Sequence, residues 1–496
     1  MSNSPFNVLT TNAVDLQRLL ADNQITSVQI VQQCFDQIDR HEPALNALIS
    51  PAPRDKVLRA AAALDEERIN GSVRGAFHGI PIVLKDSFIT ASNLGMSNTA
   101  GSWAFVGAKA SKNSAIAQLL IDAGLIIIGK ANMTEFAGMK MTKMMPGWSS
   151  HGGQTLSPYV GKIEENETLL GHSAPGGSST GSAVAVAAGF SPLAMGTETI
   201  GSIVTPSTRA GLYALKVTTG ALDTTGTYSM TDFFDSVGPM AKSSADVRTM
   251  AEILLQRTFN SPDFGTWKGL SVGFLDPNVW KMAKEMCPPH EGTAEQMVEE
   301  YENVVKLLQK DGCSLKYPVN IADVDKLTVD GEQAIMPIAF WEFKKVGILR
   351  FIESFDECPV SSAEDIVKFN RDNSEKAMPP PFTEQGDLEK TLSCNDDPAK
   401  IEGLRNGLRQ AGQQIINTAF DTQGVNLIVA PGDSSLCIHA AAAVGYPIAT
   451  VPVGQLRYNG RPFGLCILAR ANEEELLLRF MAAYEAVAAP RPVPNL

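Results

Sequence analysis

The stretch Ala174–Pro206, APGGSSTGSAVAVAAGFSPLAMGTETIGSIVTP, constrains the fold more than any other part of the chain. It opens on a Gly/Ser run, passes through small apolar residues and closes on a second Gly-Ser step. Ser182 to Gly189 has side chains small enough to pack closely as a helix, and Pro192 to Gly196 reads as a strand. Ser178 and Ser202 stand 24 positions apart (202 − 178) at the two ends of the stretch. Glycines beside them let backbone N–H groups approach a ligand. A nucleophilic serine needs such donors for its oxyanion and also a proton acceptor, which this stretch lacks.

The acceptor is sought along the chain. Val14, Leu16, Leu19 and Leu20 have helical spacing, and Thr26 with Gln29 fits a capping box before a second helix that Pro43 is expected to end. Asp55 to Ile69 reads as a helix. Ile80, Ile82, Val83 and Leu84 read as a buried strand with Lys85 and Asp86 at its end. Taken alone, a lysine in that place reads as a surface residue. A helix is predicted over 113–123, a strand over LIIIG at 125–129, and a long loop over 139–174, the kind of loop that carries function in a compact domain. Residues 212–217 and 235–240 flank another loop, strands follow at 425–431, 446–454 and 463–468, and helices are predicted at 243–255 and 473–488. Helices alternating with apolar strands argue for an α/β fold with a largely buried sheet. The chain is expected to form one domain over 1–496. Residues 256–400, richer in charge and with helices predicted at 293–309 and 339–354, read as a helical cap or insert within it.

Composition excludes some classes. With 44% apolar and 19% charged residues the chain buries a large core. A net charge of −13 disfavours nucleic acid and anionic membrane as partners. The apolar runs fall far short of the ~20 residues a membrane helix needs. The first twenty residues show neither a basic nor an apolar leader region, and the seven cysteines have no CxxC spacing, so a cytoplasmic protein with reduced thiols is expected.

Three site chemistries fit poorly. Gly176 and Gly181 have the separation of a phosphate loop, but Ser182 stands where its lysine belongs. The six histidines form no metal-ligand spacing, so no metal is expected. Gly177-Ser178-Ser179-Thr180-Gly181 matches GxSxG around Ser179, with His151-Gly152-Gly153 upstream and Asp433 and His439 downstream in the order of an α/β-hydrolase triad. Pro175, however, stands where a strand should lead into the nucleophile turn.

A serine hydrolase with a lysine base fits better. HGIPIVLKD at 78–86, GKANMTEFAG at 129–138, GWSSHGGQT at 147–155, GGSSTGSAVAVAAG at 176–189, GTETIGSI at 196–203, DSVGPMAKSSADV at 235–247 and YPIATVPVG at 446–454 occur in order. Through these motifs the chain resembles the amidase signature family over nearly its whole length, with the flavour of its fungal members. The resemblance implies one α/β/α sandwich around a large, mixed, twisted sheet. It implies a Ser–cis-Ser–Lys triad of Ser202 as nucleophile, Ser178 as bridge and Lys85 as base, with backbone N–H groups of Thr199, Ile200, Gly201 and Ser202 as the oxyanion hole. Met133 and Ser179 are the implied substrate contacts. No cofactor is implied. The partner is a small-molecule amide or related acyl substrate, and a homodimer stays open.

The chain departs from the family pattern GTDTGGSIR at Glu198, Ile200 and Val204, and Thr180 replaces a glycine. Ile200 falls inside the oxyanion loop, where a positive φ would disfavour a β-branched residue. Val204 removes an arginine, so Glu198 is expected to be unpaired or solvated. Three readings therefore stand: amide hydrolysis, acyl transfer or ester cleavage on the same serine, and a non-catalytic relative that binds a ligand. The methionines at 133, 139, 141, 144 and 145 read either as a soft pocket wall or as core fillers.

Overall fold

The computed structural model describes residues 5–321, 327–329 and 331–496. The first four residues of the stretch inspected for a leader lie outside the described residues. The strands are β1 (Leu48–Pro51), β2 (Pro81–Lys85), β3 (Ile126–Ala131), β4 (Trp148–Ser149), β5 (Gly153–Gln154), β6 (Leu193–Glu198), β7 (Tyr213–Lys216), β8 (Ser236–Ala241), β9 (Ser271–Leu275), β10 (Ser314–Val319), β11 (Leu427–Pro431), β12 (Ile448–Gln455) and β13 (Pro462–Leu468). Eleven of these described strands form one sheet in the order β1-β3-β2-β6-β8-β7-β12-β13-β11-β9-β10; β4 and β5 form a separate hairpin. β2 runs parallel to β3 and β6, and β9 runs parallel to β10 and β11. The remaining pairs are antiparallel, so the sheet is mixed.

Alternation along the strands divides the core. In β11 and β13, Leu427, Val429, Leu465 and Ile467 face one apolar cluster, while Ile428, Ala430, Cys466 and Leu468 face a second. Helices 13–21, 27–45, 115–122, 180–187, 244–255 and 474–487 pack into the first cluster. Helices 398–423 and 435–444 cover the second. The chain is thus an α/β sandwich around a large mixed sheet. A third cluster gathers Met133, Phe136, Met139, Tyr228 and Met230 beneath helical residues 335–393. Residues 256–400 contribute this helical layer and also β9 and β10 at one end of the sheet, two strands that the sequence reading did not assign.

Local rules explain most element ends. Thr26 and Gln29 form the expected capping box. Pro43 does not end the second helix, which runs Ser27–Leu45 with the proline in its last turn. The stop comes from Asn46 at φ 50°, and the Glu42 carboxylate accepts the N–H groups of Ala47 and Leu48 beyond it. The helix Thr180–Ala187 is fully buried. A Cβ on Gly181 would overlap the carbonyl oxygens of Ala47 and Asn132, so only glycine lets this helix lie on the backbone beside it. That close seat fixes the start of the helix, and with it the serine pair just before.

Candidate active site

Lys85 ends β2. Because β2 and β6 are parallel, their carboxyl ends lie on one side of the sheet, which brings Lys85 to Thr197 near the end of β6. Lys85 is fully buried. Its Nζ donates to Thr197 Oγ1 at 2.9 Å, to the Thr197 carbonyl at 3.1 Å and to Ser178 Oγ at 2.8 Å. Burial pulls Lys85 down to about 7, against the opposing attraction of Asp235 and Glu198. The surface reading of this lysine is therefore replaced by a buried, near-neutral amine.

Ser178 follows a cis peptide bond from Gly177 and is almost fully buried. Its carbonyl accepts the Thr134 N–H at 3.1 Å. The two serine segments meet backbone to backbone: the Ser179 N–H donates to the Ser202 carbonyl at 3.1 Å. Among the described residues Ser202 Oγ makes no hydrogen bond, to Ser178 or to any other group. The structure thus makes the Lys85–Ser178 contact and does not make the Ser178–Ser202 hydroxyl contact. Ser202 Oγ has one rotatable bond, with staggered positions open to it on a tethered backbone.

The loop from Glu198 to Val204 is closed by its own first side chain. Glu198 Oε2 accepts the N–H of Ile203 at 2.7 Å and of Val204 at 2.9 Å. Glu198 is therefore neither unpaired nor solvated: backbone donors take the place expected of an arginine at position 204. Inside the loop Gly201 takes φ 77°, whereas Ile200 is not among the residues with positive φ. The β-branched side chain is thus accommodated, and it packs half-buried against the second cluster. A Cβ on Gly201 would stand 2.8 Å from Ile438 Cγ2. The N–H groups of Ile200, Gly201 and Ser202 donate to no protein acceptor among the described residues. Asp235 accepts Met230 N–H at 2.7 Å and Ser229 Oγ at 3.0 Å, with the Thr199 hydroxyl close by. Burial raises Asp235 above the usual carboxylate range.

Met133 and Ser179 are both fully buried. Met133 belongs to the third cluster, and Ser179 Oγ donates to the Thr197 carbonyl at 3.0 Å. Asn132 organises the loop beyond: its Nδ2 donates to the Gly153 carbonyl and to Thr155 Oγ1, both at 3.0 Å, and its Oδ1 accepts from Ser149 Oγ at 2.7 Å.

The α/β-hydrolase arrangement is not assembled. Asp433 lies against Arg461 at 3.3 Å and Arg209 at 3.6 Å, and His439 Nδ1 pairs with the Ser435 carbonyl one helical turn away. His151 packs edge-on against Trp103. Arg209 was not singled out from the sequence. It sits on the short helix after Ser202 and donates to the carbonyls of Leu170, Gly171 and Ala174, pinning the approach to the serine pair. The one sequence signal for it is an arginine within the apolar run IVTPSTRAGLYAL. A cleft of about 540 Å³ beside Asp433, His172 and Cys287 contains none of Lys85, Ser178 and Ser202. Among the described residues no group of three or more His, Cys, Asp or Glu side chains could hold a metal ion, and no helix is long and apolar enough to cross a membrane.

The family model described as Amidase matches residues 29–371. A putative amidase of Schizosaccharomyces pombe, C869.01, is 28% identical over 95% of this chain and 84% of its own. The probable amidase At4g34880 of Arabidopsis thaliana is 24% identical over 99% and 93%. Among solved structures, the native peptide amidase of Stenotrophomonas maltophilia superposes with a TM-score of 0.84, at 30% identity over 99% of each chain.

Proposed function

The chain belongs to the amidase family and is an amide-hydrolysing enzyme, and on that premise we propose that it cleaves a small-molecule or peptide amide through an acyl-enzyme on Ser202, with Ser178 as relay and Lys85 as base. The observation that carries this reading is the environment of Lys85 Nζ. An uncharged amine has two hydrogens and one lone pair. Thr197 offers two acceptors, its carbonyl and its hydroxyl oxygen, and the remaining direction meets Ser178 Oγ. Protonated, Nζ donates to all three; once neutral, with its two hydrogens on Thr197, its lone pair faces the Ser178 hydroxyl, which can then give its proton to Lys85 while taking one from Ser202.

Rotation of the Ser202 side chain brings Oγ against Ser178. Oγ then attacks the amide carbonyl, its proton passes to Ser178, and the Ser178 proton passes to Lys85. The N–H groups of Ile200, Gly201 and Ser202, with that of Thr199, receive the oxyanion; one such donor is worth about 3 kcal/mol of barrier. The Lys85 proton returns through Ser178 to the leaving nitrogen, the C–N bond breaks, and water releases the acyl group by the same route. Substrate contacts at Met133 and Ser179 belong to this proposal. The likeness to a peptide amidase makes peptide amides the first substrates to try.

A fluorophosphonate probe tests the reading. It is expected to label Ser202, with labelling lost in Ser202→Ala and Lys85→Ala, and peptide amides are expected to release ammonia. Labelling at Ser179 that depends on His439 would overturn it. Folded protein that takes no label would favour a binding-only relative, and label without ammonia release would favour acyl transfer or ester cleavage.

A further inference from the structure

Lys216 ends β7 in the middle of the sheet, fully buried, and its Nζ has no hydrogen-bond partner among the described residues. Strand register shows where this side chain runs. Glu198 pairs with Ser236, and Gly196 with Gly238. β7 pairs Ala214 with Met240, and the Val217 N–H donates to the Val237 carbonyl, which sets Lys216 beside Gly238. On the other side Lys216 pairs with Ile448. Paired residues share a face, as do residues two apart in a strand. Glu198, Ser236, Gly238 and Lys216 therefore lie on one face, that of the second cluster, to which Ile448 belongs. Gly196 and Gly238 place no side chain between Lys216 and Glu198. Ser179 Oγ, Ile203 Cγ1 and Met240 Cε fill the space over Gly196, so among the described residues Lys216 shares this face with Glu198 without a direct ion pair.

We propose that Lys216 is a positioning residue for catalysis: its buried ammonium is the counter-charge to Glu198 and Asp235 beneath the oxyanion loop, and it keeps those two carboxylates from holding a proton on Lys85. The inference rests on Lys85 being the base. The same two carboxylates act on both lysines: Asp235 and Glu198 favour the protonated form of Lys85, and Glu198 and Asp235 do so for Lys216. Arg409, from helix 398–423, is the other charged group facing Lys216; its own N–H groups are taken by the carbonyls of Ala442, Ala443 and Phe233. Burial brings both lysines down, Lys216 to about 8 and Lys85 to about 7, so Lys85 gives up its proton the more readily of the two.

The test is the rate at which a fluorophosphonate labels Ser202 as a function of pH, which needs no known substrate. In the wild type the rate is expected to rise with pH as Lys85 loses its proton. Lys216→Met leaves Glu198 and Asp235 uncompensated, so the rise moves to higher pH. A move of about one unit lowers the rate at pH 7 by about fivefold, with recovery at alkaline pH. Lys216→Arg keeps the charge and is expected to keep the wild-type profile, and Lys216→Met/Glu198→Gln is expected to return most of the way to it. If Lys216→Met does not fold, Lys216→Gln takes its place. A profile unmoved in the uncharged variants overturns the inference, whatever happens to their Tm. A rise that persists in Lys85→Met instead removes the base assignment on which the inference rests.

Discussion

The Ser179 N–H donates to the Ser202 carbonyl at 3.1 Å, so the two glycine-rich loops are tied by main chain while the Ser202 hydroxyl stays unengaged. The backbone is held, and the proposed relay requires the Ser202 side-chain torsion to bring its hydroxyl to that of Ser178. The predictions below ask what each fastening contributes.

Lys85 is held at about 7, against 10.5 for the ordinary side chain. Between those values the unfolded chain binds one proton more than the folded chain at this site, so the group makes stability rise with pH from about 7 to 10.5. Below 7 both states are protonated, and the folded protein carries the full cost of burying the charge. Lys85→Met is expected to abolish labelling of Ser202. It is also expected to raise Tm relative to wild type, by more at pH 6 than at pH 10. A Tm difference that is constant or grows with pH would contradict the neutral buried amine.

Gly201 combines φ 77° with a Cβ position 2.8 Å from Ile438 Cγ2. Gly201→Ala is expected to displace the loop and reduce kcat/KM by at least about 100-fold, the scale of losing one oxyanion donor. Adding Ile438→Ala relieves the clash but not the strained φ, so recovery should be partial. Full recovery would show that crowding alone was at fault; wild-type activity in Gly201→Ala would mean the loop's N–H groups do not serve the reaction.

Glu198 Oε2 serves two buried N–H groups. Glu198→Ala leaves both unpaired, at a cost of about 1–3 kcal/mol each. Urea unfolding should report a loss of about that size, and if the loop receives the oxyanion as proposed, kcat should fall more than KM rises. Glu198→Gln keeps an acceptor and should lose less of both. Equal losses in the two variants would mean that the carboxylate charge, not the clamp, matters.

Asp433 and His439 separate structure from chemistry. Asp433→Ala leaves Arg209 and Arg461 without their buried partner and is expected to cost about 3–5 kcal/mol in chemical denaturation. His439→Ala removes a side chain whose Nδ1 bonds only the Ser435 carbonyl of its own helix, and should leave Ser202 labelling unchanged. Loss of labelling in His439→Ala would return the α/β-hydrolase arrangement to consideration.

Much of the site was legible because it lies in short local patterns. HGIPIVLKD puts a lysine directly after an apolar strand, and the Gly-Ser steps at 176–182 and 201–202 stand out from any background. What was not legible depends on neighbours distant in the chain. β9 and β10 are short and form the end of the sheet, with Gly273 inside one and Pro318 inside the other, so their apolar pattern is weak. Pro43 looked like a helix stop, yet Glu42 and the left-handed Asn46 made the stop two residues later. Arg209 and Lys216 were passed over because one charge in an apolar run carries no sign of what it meets.

By itself the sequence determined the alternation of helices and buried strands and the small-residue helix that must lie on backbone, and it singled out the candidate lysine and serines, since these follow from side-chain size, period and local turn chemistry. Only the tertiary structure decided which charges face one another. Glu198 turned out to be clamped by backbone N–H groups instead of being left without a partner, and Lys216 came to share its face across two glycines. Strand order and register, set by pairings hundreds of residues apart, place those groups together, and electrostatics in a buried site depends on that distance and desolvation more than on residue type.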